Sequence, residues 1–278
     1  MNKIGVLFSI RKGTDIDAEM KKVSDIGCEC CQITVWDPTL YTDENAEAIL
    51  AAANKYGVEI STLWAGWTGP KEWNFTGGPM TLGLVPPAFR MKRAEELLQG
   101  VDFAEKLGVS RLATHAGFLP ENMNDPEYLG VVAILRYIAK YCKAKNINFL
   151  FETGQETPVT LLRIIEELGM DNVGINMDTA NLILYGKANS ADAITVFGKY
   201  VMDTHIKDGF YPTNGKSLGK EVKVGEGMAN IPEVVKRLAA VGYTGNYVIE
   251  REISGEQQTK DIIETIAYLR AILNKQEA

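Results

Sequence analysis

A chain of 278 residues, 46% hydrophobic and 23% charged, has the length and balance of one large α/β barrel or two small globular domains. Its net charge of −7 argues against nucleic acid as a partner, because phosphate backbones need a clustered basic surface. The opening apolar run, "IGVLFSI", is too short to cross a membrane and precedes Arg11 and Lys12, so it reads as a first strand and not as an export signal or anchor.

Strand-length apolar runs recur along the chain, separated by helical stretches. "KIGVLFS" (3–9) is followed by a segment stopping at Gly27 and then by "CCQITVW" (30–36). In "NAEAILAAANKYG" (45–57), Ala46, Ile49, Leu50, Ala53 and Tyr56 fall near i, i+3 and i+4, which predicts an amphipathic helix ending at Gly57. "EISTLWAG" (59–66), a helix over 90–108, "RLATHAG" (111–117) and a helix over 125–145 follow. The second half continues with "NFLFETG" (148–154), "VGINMDTAN" (173–181), "YVMDTHIKDG" (200–209) and "NYVIERE" (246–252), and a helix over 257–275 closes it. Thr157 and Pro158 predict an N-cap with proline at the first helical position, and Asn230 to Glu233 a capping box. Eight apolar runs alternating with helices, without a linker-like break, imply one parallel sheet buried on both faces. The expected fold is therefore α/β, a single-domain (β/α)8 TIM barrel over residues 1–278. No GxGxxG follows the first strand, which disfavours a doubly wound open sheet. The four cysteines, Cys28, Cys30, Cys31 and Cys142, lack zinc-pair spacing and read as free thiols of a cytoplasmic protein.

Active sites of such barrels lie at the C-terminal strand ends. Strands five to eight end on Glu152, Asp178, His205 and Glu250, and strand four on His115; His115, with Asn181, Lys207 and Trp67, is expected at the substrate. Neighbouring strands run about 4.8 Å apart, so these tips can converge. Three crowded carboxylates repel one another unless a cation offsets their charge. Three carboxylates and one imidazole suit Mn²⁺ or Mg²⁺, with Co²⁺ and Zn²⁺ as further options. Taken singly, Asp178 also reads as a cap and His205 as a satisfied core histidine.

At these residues the sequence resembles the xylose-isomerase-like barrels of sugar phosphate isomerases and epimerases. The resemblance is strongest in "THAGFLPE", "FETGQETP", "NMDTANLILYG", "THIKDG" and "VGEGMANIPEVVKRLAAVGYTGNYVIERE". It implies a single divalent metal held by Glu152, Asp178, His205 and Glu250, with Glu152 and Glu250 also exchanging the substrate proton from opposite faces. Such chemistry is physically sensible: the metal stabilises the enediolate formed next to a carbonyl, and a carboxylate on each face permits inversion. Two departures bear on the substrate. Asn181 stands where the ketohexose epimerases carry a histidine, and Tyr211 where they carry an arginine. Lys207, in "IKDG", is expected to reach a substrate oxygen or phosphate, or else to be a surface lysine at a strand end.

Two long loops complete the expectations. Residues 66–89 hold Trp67, Trp73 and Phe75, whose faces suit either a carbohydrate lid or a contact within a homo-oligomer. Residues 209–229 contain Gly225 and Gly227, close to a helix N-terminus where a phosphate or sugar hydroxyl could dock. The resulting expectation is a cytoplasmic sugar or sugar-phosphate isomerase or epimerase acting on a small carbohydrate, with no nucleic acid or membrane partner. The alternative is a metal-dependent dehydratase or lyase of a keto-polyol such as an inosose. The related apurinic endonucleases need a histidine-rich three-metal cluster, and two histidines cannot supply it. A metal-stabilised binding module without turnover is the remaining non-enzymatic reading.

Overall fold

The computed structural model describes residues 2–276. Eight parallel strands close a barrel: β1 (Ile4–Ile10), β2 (Cys30–Val35), β3 (Glu59–Ala65), β4 (Arg111–Thr114), β5 (Asn148–Glu152), β6 (Val173–Asp178), β7 (Val201–Ile206) and β10 (Tyr247–Ile249). Each pairs with its neighbours in sequence order around the barrel, and β10 closes it against β1. Two further strands, β8 (Asp208–Phe210) and β9 (Lys220–Val222), form an antiparallel hairpin within the 209–229 loop.

Among the described residues ten α-helices accompany these strands: α1 (Ile16–Asp25), α2 (Asp43–Tyr56), α3 (Gly78–Thr81), α4 (Pro87–Lys106), α5 (Tyr128–Ala144), α6 (Pro158–Leu168), α7 (Asn181–Leu184), α8 (Ser190–Phe197), α9 (Ile231–Ala240) and α10 (Glu256–Gln276). Their starts follow local chemistry. Thr157 caps α6 by accepting from the Thr160 N–H, with Pro158 at the first position. Asn230 departs from the expected capping box: its φ is 53° and its side chain caps nothing, so α9 starts from a left-handed turn instead.

The main core lies between strands and helices. Ile33, Val35, Leu63, Phe149, Phe151, Ile175, Met177 and Ile249 face outward into it, which is why the strands read as apolar runs. The barrel interior is different. Its apolar layer is small, built on Trp64, Ala113 and Leu150, and buried polar groups fill much of the rest. Near the bottom, the Asp203 carboxylate accepts from Ser61 Oγ at 2.9 Å and Thr62 Oγ1 at 2.7 Å. Above it, Gln32 Nε2 donates to Asn176 Oδ1 at 2.9 Å across the barrel. Among the described residues no helix is long and apolar enough to cross a membrane. All four cysteines are buried and unpaired.

Candidate metal centre

The tips of β5, β6 and β7, and the residue following β10, bring one carboxylate or imidazole each to a common point. Ligand-capable atoms of Glu152, Asp178, His205 and Glu250 all lie within 4.8 Å of one another. Register explains the meeting: Asp178 pairs with His205, and the Glu250 N–H bonds the Ile206 carbonyl one residue beyond. An irregularity beside Asn176 matches it with Asp203 and leaves Met202 as the extra residue. Asp203 and His205 thereby share the interior face of β7.

His205 uses its two nitrogens differently. Nδ1 lies 3.2 Å from Glu152 Oε1 and 3.4 Å from Glu250 Oε2, whereas Nε2 lies 2.8 Å from Gln32 Oε1. The Gln32 carbonyl oxygen can only accept, so it holds a proton on Nε2 and leaves Nδ1 facing the carboxylates, as the nitrogen that a metal ion would take in place of a proton. Asp178 combines its two readings. Its Oδ1 accepts from the N–H groups of Ala180 and Asn181 at 2.7 Å each, capping α7, while its fully buried Oδ2 has no hydrogen-bond partner. Glu152 accepts from Trp64 Nε1 on one oxygen, and its other oxygen lies 3.5 Å from His115 Nε2.

Lys207 is 1% exposed, which excludes the surface-lysine reading. Its ammonium donates to Glu252 at 2.7 Å, Glu250 at 3.2 Å and Asn181 Oδ1 at 3.3 Å, and lies 3.6 Å from Asp178 Oδ2. Burial pushes the Glu250 carboxyl up, but Lys207 and His205 outweigh it and hold the group well below the carboxylate range. Glu152 is lowered too, His205 and His115 overcoming burial. Burial wins at Asp178, raising it well above its ordinary value despite Lys207. His205 is raised because the two glutamates overcome its desolvation, while burial lowers His115 towards the neutral form. The unpaired Asp178 oxygen, the facing Nδ1 and the surplus of buried negative charge fit a hard or borderline divalent ion.

Above the cluster opens a cavity of about 400 Å³, lined on one side by Trp36, Trp64 and Trp73. Of the residues expected at the substrate, His115 and Asn181 line this cavity, while Lys207 lies beneath it. Trp67 departs from expectation. It is fully buried, with the Arg93 guanidinium 4.0 Å over its ring, and forms a layer under Trp36 and Trp73. The glycine turn of the second loop also differs from expectation. The N–H groups of Gly225, Gly227 and Ala229 already donate to the Asp208 carboxylate.

Sequence reasoning missed Gln32, Trp64, Gln155, Tyr185 and Glu252. The one available signal was Gln32 itself, an amide in the middle of the buried strand "CCQITVW".

The family model for the xylose isomerase-like TIM barrel matches residues 20–272. A xylose isomerase domain protein from Planctomyces limnophilus is 31% identical, with a TM-score of 0.91 over 98% of this chain and 97% of that one. The 3-keto-D-glucoside 4-epimerase of E. coli superposes with a TM-score of 0.72 at 17% identity, covering 98% of this chain and 100% of its own. A xylose isomerase-like barrel protein from Mycobacterium smegmatis, solved in complex with magnesium, gives 0.72 at 18% identity, over 96% and 92% of the two chains. Fold, strand order and a match reaching across nearly the whole length agree, and the chain belongs to the xylose isomerase-like TIM barrel family.

Proposed function

We propose that the protein is a divalent-metal-dependent sugar isomerase or epimerase that moves a proton at the carbon next to a carbonyl. One observation carries this reading. Of the four clustered residues, Glu152 and Glu250 line the cavity, whereas Asp178 and His205 lie behind them. Two carboxylates facing one ligand suit removal of a proton by one and its return by the other. Despite burial, both carboxyls are lowered from their ordinary value, Glu250 chiefly by Lys207 and Glu152 chiefly by His205, so both are carboxylates able to accept a proton.

The remaining residues keep that pair in place. Trp64 Nε1 ties one oxygen of Glu152, and Lys207 ties Glu250. His115 is buried and turned to the neutral form, and its Nδ1 has no partner in the protein, so it can hydrogen-bond a substrate oxygen. When bound, a divalent ion such as Mn²⁺ or Mg²⁺ polarises the substrate carbonyl and offsets the charge that grows on its oxygen. The tryptophan wall offers aromatic faces to sugar C–H groups. A neighbour named as an epimerase and another solved with magnesium support the reaction class and the ion.

Incubating the metal-loaded protein with ketoses and keto-polyols in heavy water tests this reading. Deuterium is expected at the carbon beside the carbonyl, with an epimer or isomer as product. Retention of the substrate hydrogen in the product would point to a hydride shift and overturn the proposal. Exchange followed by loss of water would instead assign the chain to the dehydratases, which share the first step.

A further inference from the structure

The cavity above the cluster gathers buried polar atoms that find no partner in the protein. Gln155, 2% exposed, leaves both its Oε1 and Nε2 unpaired. The Tyr185 hydroxyl, which faces the Gln155 side chain without a well-formed hydrogen bond to it, Thr34 Oγ1 and His115 Nδ1 are unpaired as well, and all four residues line the same cavity. Burying a donor or acceptor without a partner is costly, so these atoms await groups that a ligand brings. The other wall is aromatic, with Trp36 and Trp64 4.8 Å apart and Trp73 6.2 Å from Trp36. Hydrogen-bonding groups on one side and ring faces on the other complement a polyhydroxylated ring.

Charge narrows the choice further. Among the described residues lining the cavity there is no Lys or Arg, whereas Glu152, Glu250 and Glu252 are present. Lys207 beneath it is committed to Glu252 and Glu250. A divalent ion together with Lys207 offsets three of the four charges on Glu152, Asp178, Glu250 and Glu252, so the floor stays negative even when loaded.

Barrel enzymes commonly hold phosphate in the loops after the seventh and eighth strands. Here Asp208 fills the first of these, accepting from Gly225 and Gly227 at 3.0 Å each and from Ala229 at 2.9 Å. A Cβ on Gly227 would lie 2.2 Å from Asp208 Oδ1, so the loop is wrapped tightly around its own carboxylate. The second carries Glu250, Arg251 and Glu252 and begins α10 with Glu256; its one cation, Arg251, is paired with Glu221 at 2.9 Å and Asp261 at 2.8 Å.

We infer that the substrate is an uncharged polyhydroxylated keto compound and not a phosphate ester, and that Gln155 and Tyr185 bind its hydroxyl groups. This inference rests on the sugar chemistry proposed above. All four tryptophans, Trp36, Trp64, Trp67 and Trp73, line this cavity or pack beneath it, so intrinsic fluorescence reports occupancy independently of turnover.

The test titrates D-fructose, D-tagatose and a keto-inositol, each beside its own phosphate ester, into metal-loaded protein, and reads deuterium exchange on the same mixtures. At least one uncharged compound is expected to bind, with its ester weaker by about tenfold or more, the effect of about 1.4 kcal/mol. Gln155→Met and Tyr185→Phe should each weaken the bound sugar about tenfold, the usual loss for one hydrogen bond, with metal content unchanged. An ester binding as tightly as its parent overturns the inference and leaves the proton-transfer reading standing. Selective binding of the uncharged compound without exchange upholds the inference and overturns that reading. Failure of every compound to bind, or wild-type affinity in both variants, also counts against the inference.

Discussion

At Gln32 one side-chain amide decides which nitrogen of His205 faces the carboxylates. Its oxygen accepts from the Nε2–H at 2.8 Å, and its own N–H donates to Asn176 Oδ1 at 2.9 Å, so turning this amide alone would lose both bonds. Replacement by leucine keeps the volume roughly but strands a buried imidazole N–H and the Asn176 oxygen. Gln32→Leu should weaken Mg²⁺ or Mn²⁺ binding by about 10–100-fold, the usual cost of losing the hydrogen-bond partner of a ligand histidine. Calorimetric titration measures this. The chain has only two histidines, so ¹⁵N spectra of the Mg²⁺-loaded protein can also show directly that Nε2 carries the proton. Unchanged affinity in the variant, with Nδ1 protonated in the parent, would remove Gln32 from this role.

At the scale of elements, the loop after β3 is a fixed wall more than a loose cover. Arg93 of α4, fully buried, donates to the carbonyls of Thr68, Pro70, Thr81 and Gly83 at 2.7–3.2 Å and stacks on Trp67. Trp67 is the peg of this clamp, and Trp73 is left to face the cavity. The turn between β5 and α6 holds a different device. Glu156 is 3% exposed, and burial pushes its carboxyl from 4.5 up to about 7, with backbone N–H groups and Lys187 pulling only partly back.

The folded state thus keeps a proton that the unfolded chain releases above about pH 4.5. The stabilisation is complete below that value and is lost as pH rises through about 7, a loss on the order of 3 kcal/mol. Glu156→Gln should therefore unfold at a higher temperature than the parent at about pH 8 and show a flatter profile towards acid. An identical pH slope in parent and variant, read by thermal denaturation, would contradict this.

For the molecule as a whole, legibility followed burial. The eight barrel strands were readable because parallel strands covered on both faces are near-continuous apolar runs, so Glu152, Asp178 and His205 stand out where such runs end. Trp67 was misplaced because an aromatic in a loop looks the same whether it faces a ligand or a buried guanidinium. Its partner, Arg93, lies in the next helix. The glycine turn at 225–227 read as a docking place for a phosphate or sugar hydroxyl, but its N–H groups are taken by Asp208, a contact that the hairpin of β8 and β9 brings about. Gln155 and Tyr185 carried no pattern at all, since their meaning comes from being buried and unpaired around one cavity.

The central claim is that this barrel mouth presents two glutamates as a pair of proton carriers. It is tested most directly by Glu152→Gln and Glu250→Gln, assayed in heavy water with a compound that the parent turns over. Each change keeps shape and an oxygen ligand while removing one base, so each should lower conversion by about 10²–10⁴-fold. One of the two should still wash deuterium into unconverted substrate from its surviving face. Conversion near the parent rate in both variants would contradict the claim.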